Sequence, residues 1–61
     1  MTMSGKELVK RLKKIGWMLI RIEGSHYVMQ KDNMIEVIPV HGNKDLPESL
    51  YNSIAKRVGL K

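Results

Sequence analysis

An α+β fold in the order helix, three antiparallel strands, helix is the class that this 61-residue sequence predicts. Two observations carry it. Capped stretches with apolar residues at helical spacing stand at both ends of the chain. Between them lie three short alternating runs separated by two-residue turn signals. Connections this short favour pairing of sequential strands, which gives a meander with both helices on one face. Residues 1–61 are expected to form a single domain with a thin core, since a chain near 60 residues buries only about 60% of its unfolded surface.

Each element has its own local reason. Ser4 and Glu7 form a capping box, in which a hydroxyl serves orphan amides and the carboxylate reaches back. Leu8, Val9, Leu12 and Ile15 then recur at helical spacing, and Gly16 ends the helix. From Trp17 the period becomes two: Met18, Ile20 and Ile22 alternate with Leu19, Arg21 and Glu23. Gly24-Ser25 is a hairpin turn with glycine at its first central position. His26–Lys31 is the second strand, Asp32-Asn33 turns again, and residues 34–40 are the third. Pro39 requires that strand to be an edge, or the proline to lie at its end. The second helix is expected to open at Asp45 as cap, with Glu48 three positions later and Pro47 in the first turn. Leu46, Leu50, Tyr51, Ile54, Ala55 and Val58 form its apolar face, and Gly59 stops it.

A two-residue loop at Gly24-Ser25 sets Glu23 opposite His26, Ile22 opposite Tyr27 and Ile20 opposite Met29. The core face then carries Met18, Ile20, Ile22, Tyr27 and Met29. Trp17, Leu19 and Val28 fall on the other face, and so does His26. At the second hairpin a two-residue loop places Glu36 on the core face. A loop longer by one places Ile35 and Val37 there, which the hydrophobic pattern prefers. In either register His26 lies beside Pro39, at the end of the sheet from which His41 emerges. Glu23, Gly24, Ser25, His26, His41 and Lys44 thus converge from distant positions.

Composition narrows the function. The chain has no cysteine, which excludes disulfides and thiolate metal sites. Its longest apolar run, residues 17–20, is far short of the ~18 residues of a membrane span. No apolar signal-peptide core stands at the start. A cytoplasmic protein without a membrane partner is expected. The net charge is +5, concentrated in residues 4–16, where Lys6, Lys10, Arg11, Lys13 and Lys14 oppose Glu7 alone. Such a footprint suits a phosphate backbone, whose neutralisation releases counterions. A solvated helix face, or an acidic protein partner, would show the same residues.

The two histidines suggest a chemistry. Cleaving RNA without metal needs a proton taken from the 2′-hydroxyl and one given to the departing 5′-oxygen. Imidazole titrates near ~6.5 and can serve either role, and Lys44 or nearby amides could stabilise the added negative charge. Two histidines without closely spaced carboxylates make a zinc site a poor fit, and no cofactor is expected. A polar residue beside a Gly-Ser turn is the bland reading of His26.

Gly16-Trp17, Gly24-Ser25-His26, the stretch Val40-His41-Gly42-Asn43-Lys44-Asp45-Leu46 and the ending at residues 54–59 together resemble the HicA toxin family. The resemblance runs without a gap over residues 6–60. It implies a double-stranded-RNA-binding-domain-like αβββα fold. It also implies an endoribonuclease that cuts mRNA, arrests translation and is neutralised by a HicB-type antitoxin. The family's catalytic histidine falls on His26 and its preceding glycine on Gly24; His41 lies in a stretch that often carries a histidine. Ser49 and Leu50 depart from the Gly-Thr of many members.

Two other readings compete. A non-catalytic double-stranded-RNA module reads shape through minor grooves and phosphates, and usually has lysines at the start of its second helix. Here that segment is Asp45-Leu46-Pro47-Glu48. A small interaction protein would have its apolar sheet face covered by a partner.

Overall fold

A computed structural model describes residues 3–60 of the chain. It has the expected order: α1 Gly5–Lys14, β1 Met18–Glu23, β2 His26–Lys31, β3 Met34–Pro39 and α2 Glu48–Val58. The strands form one antiparallel sheet in the order β1-β2-β3. Buried residues of both helices join Met29 and Ile38 in one core, which also takes Trp17, Val40 and Leu46. The third strand ends one residue earlier than expected. Pro39 closes it, on an edge strand, where a missing amide costs no ladder bond.

The first helix begins as its residues dictate. The Ser4 hydroxyl accepts from the Glu7 amide at 3.2 Å. It ends in a Schellman motif: the Gly16 amide donates to Lys13 and the Trp17 amide to Leu12, with Gly16 at φ +102°. Lys31 donates to the Ile15 carbonyl at 2.7 Å, placing a positive charge at the negative end of the helix dipole. Ile15, expected on the apolar face, is exposed, because it sits in the turn that leaves the helix.

That motif has consequences along β1. It fixes Trp17 next to Leu12, and the indole is 2% exposed. At the other end the hairpin pairs Ile22 with Tyr27 and Glu23 with His26, as expected. Trp17 and Ile22 have opposite parity, so one face cannot take both without an extra residue. The strand supplies one: the register shifts between Leu19 and Arg21, and Leu19, not Ile20, lies opposite Met29. The expected core face is therefore wrong for the first half of β1: Met18 and Ile20 turn outward, while Trp17 and Leu19, expected on the open face, pack into the core. Beyond the bulge Ile22 keeps the face of Tyr27, as expected, but is exposed there.

The second hairpin also departs from the preferred reading. Lys31 pairs with Met34, so the loop has two residues, and Ile35 and Val37 face away from the helices. Asp32 takes φ +53°, which a short polar side chain tolerates. Glu36 consequently lies on the helix side, where α2 meets its charge. Arg57 donates to both carboxylate oxygens, at 2.9 and 3.1 Å. This hydrogen bond, with the attraction behind it, raises the Arg57 pKa above its ordinary value. A paired glutamate can thus sit where a strictly apolar pattern would forbid one.

The second helix starts later than expected. Pro47 takes the cap position, and no side chain caps the helix. Leu46 precedes a proline, which disfavours helical backbone there. The segment instead binds the N-terminus: Asp45 bridges to Ser4 and the Leu46 amide donates to the Met3 carbonyl at 3.0 Å. Leu46 is buried from this extended stretch rather than from a helical face. Gly59, at φ +85°, stops α2 as expected.

Gly5 completes the junction. A Cβ there would overlap the Pro39 carbonyl oxygen and come within 3.1 Å of the Val40 Cα. Gly→Ala in a helix normally stabilises by about 0.5–1 kcal/mol. Here the overlap reverses the sign, and urea unfolding of Gly5→Ala should show a loss of about 1–3 kcal/mol; a stabilised variant would show that α1 does not need this contact. Ser4→Ala should cost about 1 kcal/mol as a lost cap. Asp45→Asn, whose side chain caps nothing, should stay within about 0.5 kcal/mol of the parent in the same assay.

Candidate functional site

The first hairpin presents His26. Gly24 takes φ +59°, open to glycine without steric cost, and the turn lets β2 begin at once on the histidine. His26 has the parity of Val28 and the opposite parity to Tyr27 and Met29, so it lies on the face away from the helices. It is exposed. Among the described residues no hydrogen bond or ion pair engages its ring. Glu23, its partner across the hairpin, makes its ion pair with Arg21. The imidazole is therefore uncommitted and accessible to a ligand.

The same end of the sheet carries the second group. His26 pairs with Pro39, and the Val40 amide donates to the Ser25 carbonyl at 2.7 Å, which holds the first turn against the end of β3. His41 follows directly. A turn with Gly42 at φ +57° brings the Lys44 amide onto the His41 carbonyl at 3.0 Å. His41 and Lys44 line a cleft of about 330 Å³ with Pro39, Asp45, Leu46, Pro47 and Leu50. The expected convergence thus resolves into two adjoining parts. Gly24, Ser25 and His26 form one, His41 and Lys44 the other, and Pro39 stands between them. No hydrogen bond joins the two imidazoles. No group of three or more histidine, cysteine or carboxylate side chains suited to a metal ion occurs among the described residues.

The basic residues of α1 form a third part. Lys6, Lys10 and Lys13 share one helix face and line an open groove of about 340 Å³ with Val9, Leu19 and Tyr27. Arg11 and Lys14 lie further round the helix, and all five are exposed. A rise of 1.5 Å per residue spaces Lys6 and Lys13 by about 10 Å along the axis. Because Gly5 packs on Pro39, the row starts at the end of the sheet that bears His26 and His41. It lies on the helix side, whereas His26 lies on the open face.

That open face is apolar and carries Val28 as expected, but Met18, Ile35 and Val37 stand there in place of Trp17 and Leu19. Val28 is at its centre, only 5% exposed despite having no helix above it. Met18, Ile35 and Val37 surround it by register, and the Ile20 bulge lies at its β1 margin. Met18 is 68% exposed and Val37 47%. Ser49, the position departing from the resembled family, is exposed in the first turn of α2, while Leu50 turns into the cleft. Sequence reasoning missed Pro39, Asp45, Pro47 and Leu50 as lining residues. The Leu46-Pro47 pair was the available signal, since an extended residue before proline delays the helix and opens the space in front of it.

No described helix is long and apolar enough to cross a membrane. No curated protein matches the chain. Residues 5–60 match the family described as the HicA toxin of bacterial toxin–antitoxin. That match covers both helices, all three strands and every residue of the candidate site, and the chain belongs to the HicA toxin family.

Proposed function

We propose that this toxin is an endoribonuclease that cuts mRNA in the cytoplasm, with His26 as its general acid or base. The observation that carries the reading is the placement of His26: outward, exposed, uncommitted, and set by a glycine turn at the end of the sheet. Family membership supplies the toxin; the uncommitted imidazole supplies a group of the kind that serves as general acid or base.

The reaction is a transfer within the substrate. The RNA 2′-oxygen attacks the adjacent phosphorus while its proton leaves to a base. The bond from phosphorus to the 5′-oxygen breaks, and that oxygen takes a proton. The products are a 2′,3′-cyclic phosphate and a 5′-hydroxyl. Lys44 and the amides of the Gly24-Ser25 turn are the nearby groups suited to the charge that develops on phosphate. Lys6, Lys10, Arg11, Lys13 and Lys14, whose row starts at this end of the sheet, hold the RNA backbone beyond the cut. The proposed route needs no metal ion.

Control falls to a HicB-type antitoxin. The apolar face around Val28 is continuous with His26, so one protein partner covering that face also closes the site. Its complement to the lysine row would be acidic, and charge steering would quicken association at low salt.

Cleavage and antitoxin-binding assays test this. His26→Ala should keep the parent's unfolding curve and RNA affinity but lose at least about 10²- to 10⁴-fold in cleavage rate. His41→Ala should lose less, unless the pair works as base and acid, when the losses would be large and non-additive. A folded His26→Ala chain cleaving at the parent rate would refute the assignment; activity lost in chelator and restored by magnesium would refute the metal-free mechanism. For the antitoxin, Val37→Glu places a charge in the apolar face and should speed dissociation without unfolding the toxin. Added salt should slow association of the parent pair; an unchanged rate would remove the electrostatic part of the proposal.

A further inference from the structure

The cleft beside the site contains groups that the proton-transfer chemistry does not use. Its floor is apolar: Pro39, Leu46, Pro47 and Leu50. Its rim carries three polar side chains of different kinds, His41, Lys44 and Asp45. Among the described residues no hydrogen bond or ion pair commits any of the three. The volume of about 330 Å³ stands at the lower end of ligand sites, enough for a single ring system.

The cleft is also held open by the fold. One wall is the end of β3, fixed by the pairing of Pro39 with His26 and of Val40 with Ser25. The other is the extended Asp45-Leu46 segment, fixed by its bonds to Met3 and Ser4. Between them the turn from His41 to Lys44 closes on its own backbone bond. A ligand would enter a space that is already shaped, which lowers the ordering cost of binding.

We propose that this cleft is a nucleobase subsite, which seats one unpaired base of the RNA next to the phosphate presented to His26. The placement relative to His26 rests on the ribonuclease reading; the chemistry of the cleft does not. Single-stranded RNA is recognised through splayed bases that stack on rings and apolar surfaces and hydrogen-bond through their edges. Leu46, Leu50 and the two prolines provide the surface, and the His41 ring lies at its margin. The Asp45 carboxylate opposes a phosphate here and so turns the base, not the backbone, inward. Lys44, next in sequence, is suited to the phosphate outside. Pro39 borders both the cleft and His26, so a base in the cleft and the phosphate at His26 belong to neighbouring nucleotides.

Asp45 gives the subsite a preference. An ionised carboxylate only accepts hydrogen bonds. Cytosine, adenine and guanine offer an exocyclic amino group to it, and uracil offers acceptors at the corresponding oxygen. The cleft therefore favours an amino-bearing base over uracil, and Asp45 is the residue that sets the difference.

The test uses cytidine and uridine 3′-monophosphates as probes, titrated into the isotope-labelled chain and followed through backbone amide resonances. Cytidine monophosphate should shift the amides of His41, Lys44, Asp45 and Leu50, and bind at least roughly fivefold more tightly than uridine monophosphate. Asp45→Asn, which leaves the fold intact on the argument above, should bring the two affinities close together, since an amide can serve either base. Leu50→Asn should weaken both probes alike. If RNA is cleaved but neither probe shifts the cleft amides, or both bind equally to the parent, the subsite is refuted and the ribonuclease reading stands. If the probes bind with the stated preference while the parent cleaves no RNA, the subsite holds and the ribonuclease reading falls. Parent discrimination that survives Asp45→Asn would refute the role given to that carboxylate.

Discussion

The structure depends on a close junction at one end of the sheet, where the start of α1 meets the end of β3 and the segment before α2. Gly5 permits it, because any side chain there would strike the Pro39 carbonyl. The Ser4–Asp45 bridge and the Leu46–Met3 hydrogen bond lock the third partner in place. A glycine within a helix costs about 0.5–1 kcal/mol in propensity. What it allows is that three segments distant in sequence share one small volume. In a domain too small for a deep core, such a junction fixes geometry that burial alone would leave loose.

The residues of the candidate site gather at that end for the same reason. The first turn is held to β3 through Ser25 and Val40, and the residues that follow β3 run directly into the junction. His26, His41 and Lys44 thereby sit on well-anchored backbone while their side chains remain exposed. The lysine row of α1 begins at the same place. The junction therefore brings the basic helix face and the histidines together, although the two lie on different sides of the sheet.

The division of apolar residues between the sheet faces follows from a conflict settled within β1. The Schellman motif commits Trp17 to the core, and the hairpin commits the opposite parity further along. The bulge reconciles them and sends Met18 and Ile20 outward. The two-residue turn at Asp32 adds Ile35 and Val37 to the same face, and Arg57 makes that register tolerable by pairing with Glu36. A chain with little core to spare thus leaves several large apolar side chains uncovered beside the histidine. An uncovered face of this kind is characteristic of a surface that meets a partner.

What is local was legible in the residues alone. The Ser4 cap, the Gly16 and Gly59 stops, the two-residue Gly24-Ser25 turn and the outward placement of His26 depend on residues within a few positions of one another. Their backbone preferences were readable directly. The position of His26 beside Pro39 was equally legible, since it follows from turn positions whichever loop length the second hairpin takes. Tertiary structure decided everything that sets one local preference against another. Parity counted from one hairpin could not reveal the bulge, because the opposing demand came from Trp17, held by a helix end. The hydrophobic pattern chose the wrong register at the second hairpin, because the charge of Glu36 is answered by a residue 21 positions away. Asp45 reads as a helix cap until its backbone is seen to pair with Ser4. The cleft exists only because that pairing keeps the helix from starting there. Short-range preferences act on one segment at a time; the site arises where long-range packing chooses between them.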